Sequence, residues 1–218
     1  GVNLSGGQLT VGTGVTIGIA GIATFRSGRI DLGDSLQNTS IGEGAGDSIT
    51  TGSANVAVGR NALTAATTGD KNVAIGAAAL STQTTADNNT AVGYAALNAN
   101  TTGTSNVALG YYALLANTTG AENVAIGDRA LDGATTVNRN VAIGYKALTD
   151  NTTGASNTAI GAVALANNTT ASYNTAVGAG ALEINTTGAN NAAFGQGALY
   201  ANTTASNNSA FGAQALAT

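Results

Sequence analysis

A glycine recurs every 17 residues, at Gly42, Gly59, Gly76, Gly93, Gly110, Gly127, Gly144, Gly161, Gly178, Gly195 and Gly212, with no insertion in the run. A fixed period of this length means one supersecondary unit stacked on copies of itself, so it constrains the fold before any local pattern does. With Asn72 as position 1, the unit reads NVAIGAAALSTQTTADN; later units read NTAVGYAALNANTTGTS from Asn89 and NTAIGAVALANNTTASY from Asn157. Position 1 is Asn from Asn38 to Asn208, and position 3 is Ala from Ala57 to Ala210. Position 5 is the period glycine, and positions 8 and 9 are Ala-Leu from Ala62-Leu63 to Ala215-Leu216.

Positions 2 and 4 carry apolar pairs such as Val73 and Ile75, Val107 and Leu109, or Val124 and Ile126, with Ala between them. That period-2 alternation is a strand signal. The glycines and the β-branched Thr-Thr pairs interrupt every helix that Ala and Leu would favour. After the glycine come two variable positions and Ala-Leu, and the unit closes on Thr-Thr followed by Gly or Ala, which are turn-prone. The expected fold is all-β: a parallel β-solenoid, or β-roll, of 17-residue coils, each with two short strands and two corners. About ten such coils, stacked about 4.7–4.9 Å apart, extend about 50 Å.

Each recurring residue type has a physical reason. Asn at one corner of every coil can stack as an amide ladder and tolerates left-handed backbone. Gly at position 5 marks a bend with positive φ or a close backbone approach. Ala at position 3 implies a face against which something packs tightly. A coil supplies only about three substantial apolar side chains, each worth roughly 1.5–3 kcal/mol when buried. Ordering its backbone costs about 1–2 kcal/mol per residue. The small-residue face is therefore expected to be covered by other copies of the chain in a closed symmetric oligomer.

Residues 1–37 lie outside the period, but Leu9, Val11, Val15, Ile17 and Ile19 alternate between glycines and read as a Gly-rich β connecting segment before the solenoid of residues 38–218. The first coil is imperfect, with Gly46 where Leu would stand, as expected of a capping coil. The last unit stops in mid-coil after Ala215-Leu216, and the polypeptide is expected either to have been cut there or to continue beyond it.

Composition excludes most chemistry. The 218 residues hold no His and no Cys, which rules out Ser-His-Asp and Cys-His sites and imidazole or thiolate metal ligands. Isolated acids such as Glu122, Asp128, Asp132 and Asp150 do not recur at matching positions and read as solvated surface rather than a glycosidase pair or a calcium loop. No enzymatic activity, cofactor or metal is expected. A net charge of −4 gives no electrostatic footprint for nucleic acid, and no apolar run approaches the about 20 residues that span a bilayer.

Two surface columns remain as binding candidates. Position 6 carries Tyr94, Tyr111 and Tyr145, with Tyr112 beside Tyr111, a column able to stack on the sugar rings of a glycan or simply to pack on itself. The Thr-Thr columns bring ice-binding solenoids to mind, yet adjacent strand residues point to opposite faces and lack the flat TxT spacing. The Asn-Thr-Thr sequences at Asn100 and Asn151 match the glycosylation acceptor, but turn chemistry explains them without a sugar.

The units NTAVGYAALNANTTG and NVAIGYKALTDNTTG resemble the repeats of phage tail-fibre proteins, which often end in an endosialidase-type intramolecular chaperone domain, and GVTIGIAGIATF resembles segments of cyanophage structural proteins. The NVAIG core is also similar to the heads of trimeric autotransporter adhesins, which form left-handed parallel β-rolls packed three around an axis. The resemblance covers residues 38–218 and implies a homotrimer, a left-handed coil, a place in the virion among other tail or fibre proteins, and a role in host attachment. The expected function is a structural fibre shaft. The alternative is an adhesin on a bacterial surface, or a receptor-binding module, contacting host glycans through its exposed coil surface.

Overall fold

A computed structural model describes residues 36–218. Apart from its last two residues, the connecting segment expected over 1–37 lies outside the described residues. The described residues hold eleven three-residue strands, from Thr39–Ile41 to Ser209–Phe211, and no helix. The strands form one sheet in chain order, every pair parallel and in register: Val73 faces Thr90, Ala74 faces Ala91 and Ile75 faces Val92. Each residue thus lies over the residue 17 positions away, and the ten steps of the sheet extend about 48 Å at the usual strand spacing. The repeat is a parallel β-solenoid with one coil per period.

Each coil has a single strand, at positions 2–4; the second strand expected from the sequence is absent, and positions 6–16 run through turns and bends. The reason is backbone conformation. Position 7 is left-handed in every coil, as at Ala95 (φ 51°) and Tyr112 (φ 56°), and so is position 9, as at Leu97 (φ 52°) and Leu114 (φ 52°). Position 17 is left-handed too, as at Ser105 (φ 58°) and Glu122 (φ 61°). Alternating hands at positions 7 and 9 cannot continue a strand. A left-handed residue with a Cβ costs about 1–2 kcal/mol, and at position 9 that cost is offset by burial, since Leu63 through Leu182 are completely enclosed.

The glycine at position 5 is required twice over. Gly110 has φ 139°, and a Cβ added to it would lie 2.5 Å from the carbonyl oxygen of Gly127 in the next coil. Both readings of that glycine from sequence, positive φ and close approach, hold.

The alanine face is the main correction. Ala57, Ala74, Ala91, Ala108 and their successors at position 3 are buried inside their own chain, together with the alanines of position 8 and the leucines of position 9. No other copy is needed to cover them. The side chains of positions 2 and 4 point outward: Ile75, Leu109, Ile160 and Phe194 are each 37% or more exposed. The coil is so thin at the strand that strand and opposite turn meet across methyl groups and one leucine, leaving no room between them for the larger side chains of positions 2 and 4.

The other half of the interior is polar. Asn at position 1 is buried from Asn38 to Asn191, and it forms the expected amide ladder. The Oδ1 of Asn106 accepts from the backbone N–H (3.0 Å) and from Nδ2 (3.0 Å) of Asn123, while its own Nδ2 donates to Asn89 Oδ1 (3.2 Å) and across the coil to Gly120 O (2.8 Å). Asn itself is not left-handed; the residue before it is. Position 12 adds a second amide column that the sequence reading passed over as turn residues. Asn100, Asn117, Asn151, Asn168 and Asn185 are buried, and each donates to the carbonyl of position 15, as Asn117 Nδ2 does to Gly120 O at 3.0 Å. Two amides therefore converge on one carbonyl.

Where the second column breaks, its polar group is orphaned. Asn117 Nδ2 donates to Asn100 Oδ1 (3.0 Å), but position 12 of the next coil is Ala134, and the buried Asn117 Oδ1 has no partner. The same coil carries the buried Val137 at position 15, where most coils have Gly, so apolar volume replaces the missing amide.

Candidate functional site

Four tyrosines were expected to form one column, and the structure joins three of them. Gly93 and Gly110 place Tyr94 and Tyr111 at the same point of successive coils, just after the strand, so that their rings stack with centroids 5.6 Å apart and planes 16° from parallel. Tyr112, turned by its left-handed backbone, lies against both, 4.1 Å from Tyr111 and 5.5 Å from Tyr94. Its phenol titrates above the ordinary value of 10, chiefly through hydrogen bonding with Tyr111 and secondarily through burial. Asp128 occupies position 6 of the following coil and separates Tyr145 from the cluster. Tyr145 is 51% exposed and has only Lys146 over its ring, 5.4 Å from Nζ to centroid.

The cluster is a platform rather than a cleft. Tyr94 and Tyr111 are each almost half exposed, and Arg129 caps one end with its guanidinium carbon 5.6 Å from the Tyr112 centroid. Self-packing and ligand stacking were the two readings of these residues. The rings do pack on one another, and Tyr94 and Tyr111 nevertheless keep almost half of their surface exposed.

The threonine columns have another role. Thr101 Oγ1 donates to Thr118 O (3.0 Å) and Thr118 Oγ1 to Thr135 O (2.9 Å), so the position 13 hydroxyls tie coil to coil. The Thr-Thr pairs lie in bends, not on a strand as the ice-binding comparison assumed. Position 16 does similar work: Asp70 Oδ1 accepts from the backbone N–H (2.7 Å) and the hydroxyl (3.0 Å) of Ser53. Those bonds, the backbone one first, hold the Asp70 carboxyl below its ordinary value of 3.8.

The four acids weighed for glycosidase chemistry are dispersed. Glu122 pairs with Arg139 (2.9 Å), Asp128 lies 3.9 Å from Arg129, and Asp132 accepts a hydrogen bond from Thr149. Among the described residues no three His, Cys, Asp or Glu side chains cluster as metal ligands.

Position 4 carries the surface feature that sequence reasoning missed. Its side chains form a continuous apolar column along the outer face of the sheet, ending in Phe194 and Phe211 stacked 5.2 Å apart and 3° from parallel. The strand alternation held the signal, once the alanines are known to face inward. Comparisons with known proteins give no match to a family model, a curated protein or a solved structure.

Proposed function

We propose that this chain is a non-enzymatic fibre shaft that self-assembles through the outer face of its sheet. The observation that carries the reading is the position 4 column: Ile41, Ile75, Leu109, Ile160, Phe194 and Phe211 lie in one line, 37–71% exposed, on a sheet whose other face is already filled. A contiguous apolar stripe of this kind marks an interaction surface, and identical stripes on identical chains suit a closed symmetric assembly. Three copies, a phage tail-fibre setting in the virion beside other tail or fibre proteins, and a role in host attachment come from the resemblance of the repeats. In-register stacking serves such a shaft, because every coil presents the same backbone edge to the next and length scales with repeat number.

Light scattering and negative-stain imaging of the purified chain test this. A trimeric mass and rods are expected. The triple variant Leu109→Ser, Ile126→Ser, Ile143→Ser should give monomers with unchanged secondary structure. A parent chain that is monomeric and folded at micromolar concentration overturns the assembly reading. The alternative, a module or surface adhesin contacting host glycans directly, is favoured by the exposed Tyr94–Tyr111–Tyr112 platform. It predicts glycan-array binding that is lost when Tyr94, Tyr111 and Tyr112 are changed to Ala.

A further inference from the structure

Far along the coil surface from the tyrosine cluster, position 7 is glycine in two successive coils, Gly180 and Gly197. Coils below carry Tyr112, Arg129, Lys146 and Val163 at this position, whereas here both glycines are buried and neighbouring polar side chains fold over them. The two glycines sit in a depression of about 270 Å³ whose walls include Glu183, Gln196, Tyr200 and Gln214. The side chains crowd over the glycines: a Cβ on Gly180 would lie 3.1 Å from Glu183 Oε2 and 4.0 Å from Tyr200 Cδ2, and one on Gly197 would lie 2.6 Å from Gln214 Nε2. Tyr200 keeps 41% of its surface exposed. Among the described residues no aromatic stacking or cation–π contact involves it.

We propose that this depression binds a neutral pyranose sugar. An aromatic wall offers a face for the apolar C–H side of a sugar ring. A carboxylate accepts from two hydroxyls at once, and two carboxamides both donate and accept, which is the mixed set that vicinal hydroxyls require. The volume lies just under the about 300–1,000 Å³ of sites for drug-sized ligands, in keeping with a ligand as small as a single sugar ring. Glu183 is the one charged residue among those lining the depression, so an acidic sugar meets like charge and is disfavoured. The site does not depend on the shaft reading, since a shaft with this groove would still be a shaft, and it is separate from the tyrosine platform.

The test is saturation-transfer NMR of the full chain with glucose, galactose and N-acetylglucosamine as probes and sialyllactose as the acidic comparison. Transfer to a neutral sugar is expected, with little to the acidic residue of sialyllactose. Tyr200→Ala should weaken binding about tenfold, the loss of one aromatic stacking contact. Glu183→Gln should raise transfer to the acidic residue of sialyllactose, and Tyr94→Ala/Tyr111→Ala should leave binding unchanged. Because Tyr200 and Glu183 are surface residues, circular dichroism will show both variants folded. Absence of transfer to every neutral sugar at millimolar concentration overturns the proposal. So does binding that survives Tyr200→Ala intact, or binding abolished only by the Tyr94/Tyr111 change.

Discussion

Replacing Asn106 tests whether the buried amide ladder, rather than apolar burial, holds coil to coil. In Asn106→Leu, the backbone N–H of Asn123 loses its acceptor, Asn106 Oδ1 at 3.0 Å, and becomes a buried orphan. Asn89 Oδ1 keeps the backbone donor of residue 106 but loses the amide, and Gly120 O keeps Asn117 Nδ2 but loses its shorter partner. An orphaned buried donor costs about 1–3 kcal/mol, and each lost hydrogen bond about 0.5–1.5 kcal/mol. Asn123 Nδ2 also loses Asn106 Oδ1 and keeps only Val137 O. With one orphan and three lost bonds, the sum is about 2.5–7.5 kcal/mol. Asn106→Asp keeps the acceptor for Asn123 but turns an oxygen toward Asn89 Oδ1 and Gly120 O, so the buried acid favours its protonated form and its pKa rises. Relative to the parent, that variant should be least destabilised at low pH. It should then lose up to about 1.4 kcal/mol per pH unit as pH rises from the unfolded carboxyl value, near 3.9, toward the raised folded value. Asn106→Leu should show no such dependence. Urea unfolding followed by circular dichroism at fixed protein concentration reads both. A leucine variant within about 0.5 kcal/mol of the parent, the usual range of an inert surface change, would refute the reasoning.

Gly110→Ala should destabilise the array, because the residue must hold φ 139° with its Cβ 2.5 Å from Gly127 O; the strain is of order 1–3 kcal/mol, and a melting temperature equal to the parent's would contradict it. Asp70 sets a pH response. Its lowered carboxyl pKa means that its contribution is present above the ordinary value of 3.8 and is lost as pH falls through the lower folded value. Asp70→Asn keeps an acceptor for Ser53, and melting curves between pH 2 and pH 6, about the window in which carboxylates titrate, should show a smaller acid loss than in the parent.

Much of this fold is legible in the residues. The unbroken 17-residue period dictates in-register stacking, NxAxG locates the strand, the period glycine announces positive φ, and the column from Asn38 to Asn208 announces the ladder. These are local or strictly periodic properties, and a repeat array turns local properties directly into global ones. The tyrosine column was legible for the same reason, but the break at Asp128 matters only once ring distances are known.

What the tertiary structure decided is which side of each strand is the inside. Alternation of Val, Ala and Ile defines two faces and is silent on which is buried, and the usual preference for burying the larger side chains would put Val and Ile within. The coil reverses this because its walls are too close: Ala at positions 3 and 8, one left-handed Leu and two amide columns already fill the cross-section. Ile75 and Leu109 are left outside. Sequence alone determined that the chain is a 17-residue coil; only the packing of one coil wall against the other determined that alanine is its core and its aliphatic column its surface.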